Sequence, residues 1–138
     1  MTARTFVYGV LTSEPVAPLV GGDNPRVFAK KTMTSSVEEH PYIVYKLGNE
    51  TSEDISEDTE VSRQFVQVWV HDYHDEQTGD YMRIDVIIAA IKLAFKNVGS
   101  AADGIWTSRF LEVSQDLNDD TLNTLFKYIR IQLIKEEQ

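Results

Sequence analysis

The sequence predicts an α+β domain: an antiparallel sheet with one main helix and an N-terminal helix packed on it, and a long acidic loop between two of the strands. Three observations carry this. Tyr42–Leu47 and Arg63–His71 are rich in β-branched and aromatic residues and sort their side chains with a period of two. Tyr81–Lys96 repeats apolar residues at helical spacing. Between the two strands lies Asn49–Glu60, which carries Glu50, Glu53, Asp54, Glu57, Asp58 and Glu60 with no Lys or Arg.

The chain opens with Ala3, Phe6, Val7, Val10 and Leu11 at helical intervals, a pattern that must end before Pro15. Pro15, Pro18 and the run GGDNP then make a turn-rich connection. Arg26–Lys31 is a short strand. Pro41 opens the next one, in which Ile43, Tyr45 and Leu47 face one way and Tyr42, Val44 and Lys46 the other. A simple hairpin needs about two to five loop residues, so the insert at 49–60 reads as a solvated loop kept for something besides chain reversal.

Arg63–His71 sets Val66, Val68 and Val70 against Phe65, Gln67 and Trp69. The second set is unusually aromatic for a solvent face, which predicts a cover: the N-terminal helix or another subunit. Asp80 is the expected N-cap of a helix reaching about Lys96. Its buried stripe is Ile84, Ile87, Ile88, Ile91 and Phe95; Arg83, Lys92 and Lys96 belong to its exposed face, and Asn97 with Gly99 ends it. Ile105–Val113 is a strand by composition. Thr121–Ile134 fits either type, since Leu122, Leu125, Phe126, Ile129 and Leu133 have helical spacing. Phe126–Ile134 nevertheless alternates cleanly and reads as a half-buried strand.

A chain of 138 residues suits a single domain spanning 1–138, and 42 % hydrophobic with 25 % charged residues is globular composition. The absence of cysteine excludes disulfides, thiolate catalysis and thiolate metal sites. The longest apolar run, Val86–Ile91, is far short of the ~20 residues that span a bilayer. With no leader-like cleavage site after the short apolar patch FVYGVL, the expectation is a soluble intracellular protein without membrane contact. A net charge of −9 argues against general nucleic-acid binding. Acidity gathers in the connections, also at Asp72–Asp80 and Asp116–Asp120, while Lys and Arg are spread along the regular elements. Solvated loops look like this, and so does a surface that repels a polyanion or meets a basic partner.

Chemical motifs are sparse. His71, Asp72, His74 and Asp75 are the one candidate metal cluster, but three-residue spacing at a strand exit does not set both imidazoles on one side, and His40 stands apart. The simpler reading is two solvent-facing polar residues leaving a strand. No nucleophile elbow and no phosphate-cradling glycine motif occurs, and Gly21–Gly22 precede neither. Basic residues beside aromatics (Arg63/Phe65, Arg109/Phe110, Lys127/Tyr128, Arg130) divide between two sheet faces, which argues against a base-stacking platform. The expectation is no enzyme, no metal and no cofactor.

PYIVYKLG, RQFVQVWVHD, GDYMRIDVIIAAIKLAF, a further strand and a terminal YIRIQLI together resemble the tail terminator (tail completion) proteins of long-tailed bacteriophages, over roughly Pro15 to Ile134. The motifs are matters of order and texture rather than a catalytic signature, and no functional residue carries over. The resemblance implies a compact α+β fold without enzymatic activity. It implies a homohexameric ring that caps the head-proximal end of the tail tube, stops tube polymerisation and presents a surface to the head connector. The expected location is the virion tail, after synthesis in the bacterial cytoplasm. Such a ring passes DNA through its lumen without specific binding. Phe65, Gln67 and Trp69 are then candidate contacts with a neighbouring subunit, and Glu50, Glu53, Asp54, Glu57, Asp58 and Glu60 with a partner or the lumen. The competing readings are another phage neck or head-completion protein, and a host monomeric module that binds a peptide on its sheet.

Overall fold

A computed structural model describes residues 2–29, 41–54, 60–73, 81–96, 98–119 and 124–137. Helix α1 spans Ala3–Leu11, with the Thr2 hydroxyl accepting from the Thr5 amide at 3.3 Å as its N-cap. The strands are β1 (Val27–Ala29), β2 (Tyr42–Asp54), β3 (Glu60–Tyr73), β4 (Ile105–Val113), β5 (Leu117–Asp119) and β6 (Thr124–Glu137), and helix α2 is Met82–Ala94. The sheet order is β1-β2-β3-β6-β4, with β5 pairing β6 beyond the end of β4. Both helices lie on one face of this sheet. There Phe6, Val7, Leu11, Ile84, Ile87, Ile88, Ile91 and Phe95 close over Ile43, Tyr45, Val66, Val68, Val70, Ile129, Ile131 and Leu133. Phe6 meets Phe95 edge to face, ring centres 6.1 Å apart, and so pins α1 to the end of α2.

The α+β class and both helices stand as the sequence predicts, and Ile105–Val113 matches to the residue. The sheet, however, is mixed. β1 runs parallel to β2, Val27 opposite Ile43 and Ala29 opposite Tyr45. The twelve residues between Ala29 and Tyr42 supply the length that a parallel connection requires.

The acidic loop is the larger correction. β2 continues through Asp54 and β3 begins at Glu60, so the long expected loop is hairpin for most of its length. A register shift between Leu47 and Glu50 is followed by regular pairing, Glu50 with Gln64 out to Asp54 with Glu60. Carboxylate side chains do not compete with backbone pairing, and β6 extends beside β3 as far as Glu137 opposite Glu60, so the added ladder is backed by a third strand. Glu57 and Asp58 lie outside the described residues, as do Asp80, Asn97, His40, His74 and Asp75. The first helical residue of α2 is Met82, with Tyr81 at the cap position. The C-terminal segment is a strand, longer than expected, and β5 occupies part of what reads as an acidic turn.

Changing Ile88 to Asp puts an unpaired carboxylate into this one-sided core. Urea or thermal denaturation should register a loss upwards of about 3 kcal/mol. A variant that melts like the parent would mean that α2 buries a different face.

Candidate assembly surface

Because strand side chains alternate, burial of Val66, Val68 and Val70 under the helices turns Phe65, Gln67 and Trp69 to the opposite face. The N-terminal helix is therefore not their cover: α1 packs on the valine face. The trio is half-buried among neighbours in register, Val44 and Tyr128 flanking Trp69, and Lys46 and Arg130 flanking Gln67. The Arg130 guanidinium lies 5.0 Å from the centre of the Phe65 ring and is held there by Glu112 at 3.3 Å.

One end of this face is closed by an aromatic stack across three strands. Tyr42, His71 and Phe126 are directly opposite one another in the register. Their rings stack at 4.9 Å and 5.1 Å, and Phe28 packs on Tyr42 from β1. His71 Nδ1 shares a hydrogen bond with the Thr124 hydroxyl at 2.8 Å. Asp72, one residue on, faces the helix side and binds Arg83 of α2, with Arg83 Nε 2.7 Å from its Oδ2. The sequence reading of His71 and Asp72 as solvent-facing is therefore wrong. Both are buried, on opposite faces, because β3 continues past them to Tyr73. Among the described residues, no three metal-ligating side chains converge, and no helix is long and apolar enough to cross a membrane.

The acidic candidates separate from the aromatic ones. Glu50 pairs with Gln64 and so belongs to the face opposite Phe65. Its carboxylate binds Lys135 at 2.9 Å and accepts from the Ser62 hydroxyl at 2.9 Å, while Lys135 also donates to Gln64 Oε1 at 3.2 Å. The hydrogen bond from Lys135, then that from Ser62, holds the Glu50 carboxyl below its ordinary range, against a smaller opposing effect of burial. Glu50 is thus a clasp joining β2, β3 and β6. Glu53, Asp54 and Glu60 take their places in the hairpin ladder.

Sequence reasoning passed over two other surfaces. α2 has a second apolar stripe, Met82, Val86, Ala89 and Leu93, whose spacing of four, three and four was legible beside the first. β4, a sheet edge, exposes Trp106, Leu111 and Val113. At the foot of α2, Tyr81 donates its hydroxyl to the Leu117 carbonyl at 2.8 Å, and Lys127 binds Asp85 at 2.6 Å and Asp116 at 3.1 Å. These hydrogen bonds, that to Asp85 first, raise the Lys127 pKa above its ordinary value in spite of desolvation.

A solved chain described as "Virion of native gene transfer agent (GTA) particle" superposes on this one with a TM-score of 0.69 at 13 % identity, covering 99 % of this chain and 96 % of that chain. At that identity the likeness is one of fold. No protein-family model and no curated protein matches the sequence.

Two pH responses follow. Burial, then the charge of Asp119, pushes the Tyr42 hydroxyl up from 10.0 to about 12, against a smaller opposing effect of the nearby Thr124 hydroxyl. The folded state therefore holds this proton more tightly, and stability falls as pH rises from about 10 towards 12. Spectrophotometric titration should find a tyrosine ionising near the top of that window, absent from Tyr42→Phe. Glu50 acts in the opposite sense. Its contribution is present above the ordinary carboxyl value of 4.5 and is lost as pH falls through its lower folded value. Urea midpoints of Glu50→Gln should approach those of the parent at acid pH, separate from them as pH rises towards 4.5, and stay apart by a constant amount above it.

Proposed function

We propose that the chain is a structural virion protein, and within that class the tail terminator: a homohexameric ring on the head-proximal end of a phage tail tube that halts tube growth and offers a surface to the head connector. The observation that carries this reading is the superposition on a gene transfer agent virion chain along nearly the full length of both. Order and texture add to it, since PYIVYKLG, RQFVQVWVHD and the α2 sequence resemble that family. So does an aromatic sheet face on which neither described helix packs, on a chain whose described grooves are shallow and hold no ligating cluster. In this reading the chain is not an enzyme and takes no cofactor. Its partners are its own copies, the tube protein and the connector, and its net charge of −9 favours passage of DNA over binding.

The test is negative-stain microscopy of purified tail tubes mixed with the protein. Rings should appear at one end of each tube, and a producing strain that lacks the chain should make tubes of unregulated length. Joined heads and tails of normal length in that strain would overturn the terminator role. Recovery of the chain from the neck but not the tube end would favour the head-completion reading instead. Gel shift with duplex DNA should show no retardation at physiological salt.

A further inference from the structure

α2 is apolar on two sides, and a helix of that kind is ordinarily covered on both. Ile84, Ile87, Ile88 and Ile91 are in the core, whereas Met82, Val86 and Leu93 remain 69 %, 50 % and 66 % exposed. Along the N-terminal half of this outer stripe runs a groove of about 680 Å³, floored by Met82, Val86 and Ala89. Its polar end holds Asp85 and Asp116 on either side of Lys127. Two carboxylates with largely exposed side chains against one ammonium leave that end negative.

The counterpart is on β4. Its pairing with β6 skips at two places, between Ile105 and Thr107 and between Phe110 and Glu112. The extra residues are Trp106 and Leu111, and both are large, apolar and exposed, at 47 % and 38 %. Bulges on an edge strand discourage pairing with another strand and re-aim the side chains they carry. Between them, Arg109 is exposed and makes no ion pair among the described residues. β4 therefore presents an apolar, cationic, apolar series, complementary to an apolar groove with an anionic end.

We propose that β4 of one copy seats Trp106, Arg109 and Leu111 in the α2 groove of a second copy, with the Arg109 guanidinium meeting Asp85 and Asp116. The two surfaces are different patches of the same chain, so the contact is head to tail and can propagate into a closed ring. This rests on the ring reading above and gives that ring its contact.

The cysteine-free sequence provides a clean test. Ala89→Cys labels the groove floor with a side chain one sulfur atom larger and Thr107→Cys labels β4, and both leave Asp85, Asp116, Trp106, Arg109 and Leu111 in place. With a short bis-maleimide, neither variant alone should give covalent dimer, their mixture should, and the doubly substituted chain should give a ladder of multimers. Adding Arg109→Glu to the Thr107→Cys chain, a change at an exposed position, should lower the mixed yield more than about tenfold, as expected for a like-charge contact. Dimer formed as readily by either variant alone would mean a two-fold contact and overturn the proposal. Absence of mixed product at every protein concentration overturns it too. Microscopy of the same samples separates the two readings, since rings without mixed product would place the ring contact elsewhere and leave the virion role standing.

Discussion

The structure depends on sealing one face of β3 and β6. These strands pair without interruption from Glu60 opposite Glu137 to Tyr73 opposite Thr124, so their register is fixed along the whole ladder. On one side the ladder carries Val66, Val68, Val70, Ile129, Ile131 and Leu133, all fully buried. Slippage by one residue would turn that set to solvent, and the hydrophobic loss would be of order 1.5–3 kcal/mol for each side chain. Nothing else in the chain fixes so much at once.

The same constraint sets what stays outside. With a side-chain period of two, a sealed valine face obliges Phe65, Gln67 and Trp69 to project the other way, together with Tyr128 and Arg130. Among the described residues both helices cover the same face, and on the second the strands supply contacts of their own. Arg130 lies across Phe65 under the grip of Glu112, and Tyr42, His71 and Phe126 stack into a lid at one end. Such a face is ordered by contacts within the chain itself.

Polar side chains of the sheet side hold α2 at both ends. Asp72 binds Arg83 and Lys127 binds Asp85 near its start. At its finish the Ser108 hydroxyl lies 2.6 Å and 2.9 Å from the carbonyls of Phe95 and Val98, satisfying groups that a helix end leaves open. Gly99 follows, so close to the Trp106 carbonyl that a Cβ would not fit. These fastenings keep the outer stripe of α2 and the bulged edge of β4 in fixed relation. The carboxylates have divided duties: Glu50, Asp72, Asp85 and Glu112 each bind a cation within the chain.

By itself the sequence determined what depends on local period and composition: both helices, the alternation of β3, the strand at Ile105–Val113, and the division of Val66, Val68 and Val70 from Phe65, Gln67 and Trp69. Those signals are short-range, since a residue's face follows from its neighbours two to four positions away. Charge misled at the acidic insert, because side-chain solvation says little about whether a backbone finds a partner strand. The partner of Glu50–Asp54 is β3, the other arm of the same hairpin, and β6, which backs β3, enters more than sixty residues after β3 begins. Only the tertiary structure decided the parallel placement of β1, the burial of His71 and Asp72, the service of Glu50 as a clasp, and the two bulges that expose Trp106 and Leu111. Each arises from pairing between distant segments, whose register no local pattern in either segment contains.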